Sequence, residues 1–506
     1  MDTNFYDVVV CGSELAGLVA AALLARRGFR VLLLGHDADR PSFEAGGFTL
    51  SRAPGLLPPL ESQPVARILT ELNCVQIIRR RAPLLSPGFQ VVMPRHRFDV
   101  LGDRDQERPL FRRELEREFP ADAETIAAAL GRLSAVSQIL DPLLSSELTL
   151  PPDGFWERRE VGRLESMLPK PGTDLVAPLP AGHPMRAAIA APGALSTAFG
   201  PADVGTVAEA RAFDQARRGL HRLEGGYAGL QSFLVEKIET FAGERREKVV
   251  PAEIVFRRGR AAGIRVRPRD ETIGCTHLIW AGAAQSLWPL CAEKPSRWGR
   301  DGAAGLRPAC YRYGVSMLVT PDAIPEGMAS RVFLIGDPSR PLLEDNALVV
   351  TVGQPAPRDP GRVPVWAECL VPAPAVDAGA GYVRALRGRV RKQLGKLFPF
   401  FPQQLLVMAS PFDGLPPEIP GAAKPPAPIP PIAMPAVYSG EGPRTFDLAG
   451  LPHATGIKNL YVAGRENLPG LGVEGELVSA WGVARLVGGV NPKRATGRRE
   501  VLLNEG

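Results

Sequence analysis

The stretches 7–11 and 30–34 are apolar runs of the kind that buried parallel strands show, and between them small and apolar residues recur at helical spacing over 15–27. A strand, a glycine turn, a helix and a second strand are therefore predicted, with Gly12-Ser-Glu-Leu-Ala-Gly17 as the turn and Gly28 ahead of the second strand. Such a unit aims backbone N–H groups and the positive end of a helix dipole at a diphosphate. Farther along, a helix is predicted over 230–241, with strands at 249–255, 260–266 and 278–281. The stretches 311–319, 331–335, 347–352 and 363–371 read as strands of a mostly antiparallel sheet, with helices at 114–119, 121–140 and 381–397 around it. The proline density of 414–440 excludes helix and favours an extended connector. The last patterned segment, 459–485, reads as strand, glycine-rich turn and helix, and the polar, basic 491–506 reads as a loose tail.

Composition narrows the class. The 506 residues are 45% hydrophobic and 23% charged, enough for two or three domains. The net charge is +6 and arginine far outnumbers lysine, but no dense basic run with interleaved aromatics points to nucleic acid. Six scattered cysteines, without CxxC spacing, suit reduced thiols in a cytoplasm. Neither a secretory signal nor an apolar run of the roughly 18 residues that a spanning helix needs is visible. The basic amphipathic stretch 382–401 has two readings: a solvated outer helix, or a face laid on the inner surface of an anionic membrane. The histidines, His36, His96, His183, His221, His277 and His453, have no metal-ligand spacing and are expected on surfaces or in loops. No metal site is expected.

Three stretches, in order, resemble the FAD-dependent oxidoreductases of the phytoene desaturase, carotenoid isomerase and retinol saturase group. They are 7–34; Leu223-Glu-Gly-Gly-Tyr-Ala-Gly-Leu230 with its continuation to 281; and 459–485, which contains Tyr461-Val-Ala-Gly-Arg-Glu-Asn-Leu-Pro-Gly-Leu-Gly-Val-Glu-Gly-Glu476. Weaker matches at 47–54, 111–120 and 410–414 extend the resemblance to about residue 487. It implies an α/β architecture: a Rossmann-like FAD/NAD(P)-binding fold with a second, α+β substrate domain. The nucleotide domain would be assembled from 1–60, 220–285 and 455–490, and the substrate domain from 61–219 and 286–454.

The resemblance also implies FAD as cofactor and hydride transfer on an apolar isoprenoid or polyene. Gly12, Ser13, Glu14, Leu15, Ala16 and Gly17 would surround the diphosphate, and Val249 and Val250 would pass the adenine end. Gly464, Arg465, Gly472 and Val473 would form the closing turn. Three positions depart from the family. Glu14 replaces the middle glycine, and a carboxylate about 4 Å from a phosphate costs on the order of 4 kcal/mol at an effective dielectric of about 20. Gly35 stands where a ribose-binding acid is usual, leaving Asp37 as its substitute and Arg40 or Arg52 as phosphate partners. Arg465 follows Gly464 where many relatives have aspartate. Either Glu14 and Arg465 both point to solvent, or they form a compensated pair over the same diphosphate.

Flavin chemistry needs few protein acids or bases, because the isoalloxazine itself accepts or donates the hydride, so no catalytic residue is assigned. Glu474 and Glu476 are either beside the ring or simply first-turn acids of a helix. Trp280, Phe400 and Phe401 either line a lipid-sized cavity or pack in the core. Two further functions remain open: a flavin-fold protein that has lost FAD and carries a lipid or protein partner, as Rab guanine-nucleotide dissociation inhibitors do, and an amine-oxidase-like flavoenzyme.

Overall fold

The computed structural model describes residues 4–35, 40–152, 154–291, 306–356, 358–440 and 444–489. Asp37, His36 and the tail 491–506 lie outside the described residues. The first strand, Phe5–Cys11, pairs in parallel with Val31–Leu34 on one side and Glu271–Trp280 on the other. Glu244–Arg246 extends the parallel sheet beyond Val31–Leu34, and Leu460–Val462 pairs in parallel with Glu271–Trp280. An antiparallel hairpin, Val250–Arg257 with Arg260–Arg267, completes the seven described strands. Val8 to Cys11 and Val31 to Leu34 are buried, as continuous apolar runs demand of strands covered on both faces.

The helix Leu15–Arg26 is buried from Leu15 to Ala25, without an exposed stripe. Its run of alanines lets it pack closely between the sheet, the helix Gly226–Thr240 and the closing helix Val473–Gly489. Gly28, at φ +79°, turns the chain toward the second strand where a side chain would be strained. The helices Gln63–Glu71 and Val75–Arg81, which the expected division assigns to the substrate domain, share this same core through Val65, Ile68 and Ile78.

The second sheet has the spatial order Leu405–Ala409, Leu306–Val319, Val363–Pro372, Ala347–Val352, Arg331–Ile335, Phe89–Met93 and His96–Val100. Every pairing along it is antiparallel except Arg331–Ile335 with Phe89–Met93. One face carries the helices Ala123–Leu144, Pro184–Ser196 and Thr206–Arg218 near its Phe89 and Phe333 side chains, and the other packs on the helix Ala380–Leu397. The structure modifies the expected connector 414–440 at its end: Ala436–Gly440 is a strand paired with Leu306–Val319. Pro435 is the last proline of the run, so each residue of Ala436–Gly440 has an N–H to donate. The helix expected at 114–119 begins at Glu107, where its exposed face is too charged to show periodicity.

Candidate functional site

The glycine turn at the end of Phe5–Cys11 is held by close contacts. Gly12 has φ +113°, and a Cβ there would lie 2.7 Å from the Ala281 carbonyl oxygen. A Cβ on Gly17 would lie 2.2 Å from the Gly12 carbonyl oxygen, so the first turn of the helix must carry a glycine if it is to start this close to the strand. Ser13 and Ala16 are buried beside them. Glu14 occupies the N-cap position with extended backbone, but its side chain caps nothing in its own helix. Its carboxylate instead accepts a hydrogen bond from Arg465 Nη2 at 3.2 Å. The solvent-facing alternative for these two side chains is therefore replaced by the paired one.

Arg465 comes from the closing turn, which orders itself. The Gly464 N–H donates to Asn467 Oδ1 at 2.8 Å and to Ser479 Oγ at 3.0 Å. Gly472, at φ +55° and ψ −128°, leads into the closing helix, and a Cβ there would lie 2.4 Å from the Ser196 carbonyl oxygen. Glu476 lies 4.0 Å from Arg465, and burial pushes its carboxyl up to about 7 despite that cation. Arg465 is held charged chiefly by Glu14. Glu474 is a first-turn acid of the closing helix and also lines the cavity between the two turns. It is buried against Arg211, which donates to it at 2.7 and 2.9 Å, to Asp141 at 2.7 Å and to the Ser137 carbonyl at 2.9 Å.

These two turns share one cavity of about 360 Å³. Of the residues expected around the cofactor, Glu14, Leu15, Arg40, Arg465, Gly472 and Val473 line it, together with Arg52. Gly12, Ser13, Ala16, Gly17 and Gly464 lie behind this lining, in the turns themselves. Val249 donates its N–H to the Gly35 carbonyl at 3.3 Å, which brings 249 beside the end of the second strand; Val250 is exposed and outside the cavity.

The second sheet supplies a wall that sequence reasoning missed. Arg331, Thr351, Glu368 and Arg312, from four neighbouring strands, line the cavity opposite the glycine turns. Arg312, Arg331 and Glu368 are charged residues in otherwise apolar strands, a signal that marks each singly but not their convergence. Trp280, Phe400 and Phe401 do not line this cavity: Trp280 donates to the Ala283 carbonyl, Phe401 is buried in the second sheet's core and Phe400 is exposed. His453 lies in a loop as expected, though buried, whereas His277 departs from expectation. His453 is buried between the Val462 and Leu150 carbonyls, and His277 is buried on its strand, where desolvation lowers its pKa. Among the described residues no group of three His, Cys, Asp or Glu side chains is arranged to hold a metal.

Residues 10–72 match the family model of the NAD(P)-binding Rossmann-like domain. The fold is shared with oxidoreductases. An oxidoreductase from Methanosarcina mazei superposes with a TM-score of 0.58 at 17% identity, over 94% of this chain and 99% of that one. Putrescine oxidase bound to putrescine gives 0.56 at 14% identity, over 96% and 99%. A protein from Pyrococcus furiosus gives 0.53 at 14% identity, over 94% and 95%. No curated protein matches the chain.

The residues of the cavity fit a dinucleotide. The turn is as tight as a diphosphate cradle requires, the helix Leu15–Arg26 has no side-chain cap, and Arg465 is paired with the Glu14 carboxylate, which would otherwise oppose phosphate.

Proposed function

We propose that this chain is an FAD-dependent oxidoreductase. The observation that carries the reading is the junction of Glu14 and Arg465. Two glycine turns, 451 residues apart in sequence, line one cavity, and the residue least compatible with a diphosphate is paired with an arginine from the other turn. Leu15 and Arg40 or Arg52 would hold the diphosphate end, and Gly472 and Val473 would meet the ring end through the start of the closing helix. Bound there, the flavin would supply hydride transfer. The chain's own residues would orient the ring, keep water out and hold Arg465 charged.

The finer reading, a substrate with an isoprenoid or polyene body, is supported by Leu56, Leu57, Leu195, Leu220 and Leu230 along the cavity. The aromatic lining consists of Tyr227 and Phe412, not the cage that would favour an amine substrate. The membrane reading of 382–401 is weakened by what its cations do. Arg387 is buried against Asp413, and Arg389 and Arg391 face Glu344 and Glu418. Among the described residues no helix is long and apolar enough to cross a membrane.

The visible spectrum of the purified protein tests the cofactor reading. Bands at about 370 and about 450 nm are expected, as for flavins in general. A protein that stays colourless after incubation with FAD would instead support the lipid- or partner-carrying alternative.

A further inference from the structure

The chain pairs several of its buried arginines with carboxylates. Arg211 faces Glu474 and Asp141 at 2.7 Å, Arg217 faces Asp214 at 3.3 Å, and Arg387 faces Asp413 at 2.6 Å. The cavity wall breaks this habit. Arg331 is 5% exposed, yet its Nε is buried without a partner, and its guanidinium donates through Nη2 to the Ser196 hydroxyl at 2.7 Å. Arg312 donates to the Leu195 and Thr197 carbonyls. Among the described residues no carboxylate lies within 4.0 Å of either arginine; Glu368, on the strand between those of Arg312 and Thr351, acts on both only at longer range.

Strand register explains the convergence. Arg331 is opposite Thr351, Thr351 is opposite Trp366, and Glu368 is two residues beyond Trp366, opposite Val349 and Gly314. Side chains two apart on a strand share a face, so Arg331, Thr351, Glu368 and Arg312 present one surface to the cavity. Two guanidinium groups against one carboxylate and the partial negative charge at the end of the helix Pro184–Ser196 leave that surface net positive. Burial lowers Arg331 to about 10, the mark of a cation whose desolvation is not repaid by a nearby anion.

We propose that this wall receives the carboxylate of an amphipathic substrate, whose apolar body lies along Leu56, Leu195, Leu220 and Leu230. A carboxylate accepts the planar fork of a guanidinium in a way that neutral groups do not. The single negative charge of Glu368 disfavours a dianion such as a phosphate monoester. The inference rests on the flavin reading for the opposite wall, and it deepens that reading by naming the substrate class.

Octanoate and its neutral counterpart octanamide test it, by isothermal titration calorimetry on the protein with and without FAD. Octanoate is expected to bind roughly tenfold or more tightly than octanamide. Arg331→Gln should weaken octanoate roughly tenfold and leave FAD affinity within about twofold, while Arg331→Lys recovers part of the loss. Glu368→Gln should tighten octanoate, which keeps the proposal testable if Arg331→Gln does not fold. Octanoate binding no tighter than octanamide, or octanoate binding insensitive to both Arg331→Gln and Glu368→Gln, would overturn it. So would Arg331→Gln losing FAD rather than octanoate, which would make the arginine a cofactor contact. Octanoate binding in a protein that never takes up FAD would leave this site standing and remove the flavin reading alone.

Discussion

Replacing Arg465 by glutamine removes the cation that faces Glu14 and leaves that carboxylate at the mouth of the diphosphate cradle. The pair is 3.2 Å apart with side chains 28% and 41% exposed. At that separation two unit charges interact by about 5 kcal/mol at an effective dielectric of about 20 and about 1 kcal/mol in water. The exposure of Glu14 draws the net coupling toward the lower figure, about 1–2 kcal/mol, which is roughly tenfold in an equilibrium. The assay is a double-mutant cycle read by quenching of flavin fluorescence during titration of FAD into the apoproteins. Arg465→Gln should weaken FAD roughly tenfold, Glu14→Gln should tighten it severalfold by leaving Arg465 for the phosphates, and the double variant should return near the wild type. Four equal dissociation constants would refute the reasoning, since both side chains would then be irrelevant to the diphosphate.

Three further outcomes are expected from the same geometry. Glu476 has a native carboxyl raised to about 7, so the folded state binds a proton that the unfolded state gives up near 4.5; its contribution is complete below about 4.5 and declines as pH rises to about 7. Urea unfolding should show wild-type stability falling over that window by on the order of 2 kcal/mol more than in Glu476→Gln. Arg211→Met should cost about 3–5 kcal/mol in the same assay, because Glu474 and Asp141 lose their shared partner, and Glu474→Gln in that background should restore part of it. Gly472→Ala should destabilise by at least about 1–3 kcal/mol and weaken flavin binding, since its backbone lies in a region reserved for glycine and its Cβ would strike Ser196, whereas Gly464→Ala, with open space around its Cβ, should not.

The parts of the fold that sequence disclosed are those where one residue pattern has one outcome. Val8 to Cys11 is an apolar run short enough for a strand, and Gly12 and Gly17 sit where only glycine avoids the Ala281 and Gly12 carbonyls. The strands Arg331–Ile335 and Ala347–Val352 are short, β-branched-rich apolar runs bounded by polar and turn residues, and both are buried throughout. Phe89–Met93, Pro184–Ser196 and Thr206–Arg218 were not legible, because Gln90, Pro192 and Arg211 interrupt patterns that are completed only in three dimensions. The site divided the same way. Arg465 was a candidate partner of Glu14 because both lie in turns with a shared destination. Arg331, Arg312 and Glu368 were hidden, since their convergence depends on strand register across four chain segments and on Ser196 arriving from a helix.

The cofactor cavity is tested most directly by a crystal structure of the protein grown with FAD. The account predicts the diphosphate against the start of the helix Leu15–Arg26, with the Glu14 carboxylate still held by Arg465, and the isoalloxazine between Gly472 and Val473 on one side and the Arg331 wall on the other. Density for FAD elsewhere on the chain, or an empty cavity at saturating FAD with Glu14 and Arg465 still paired, would contradict it.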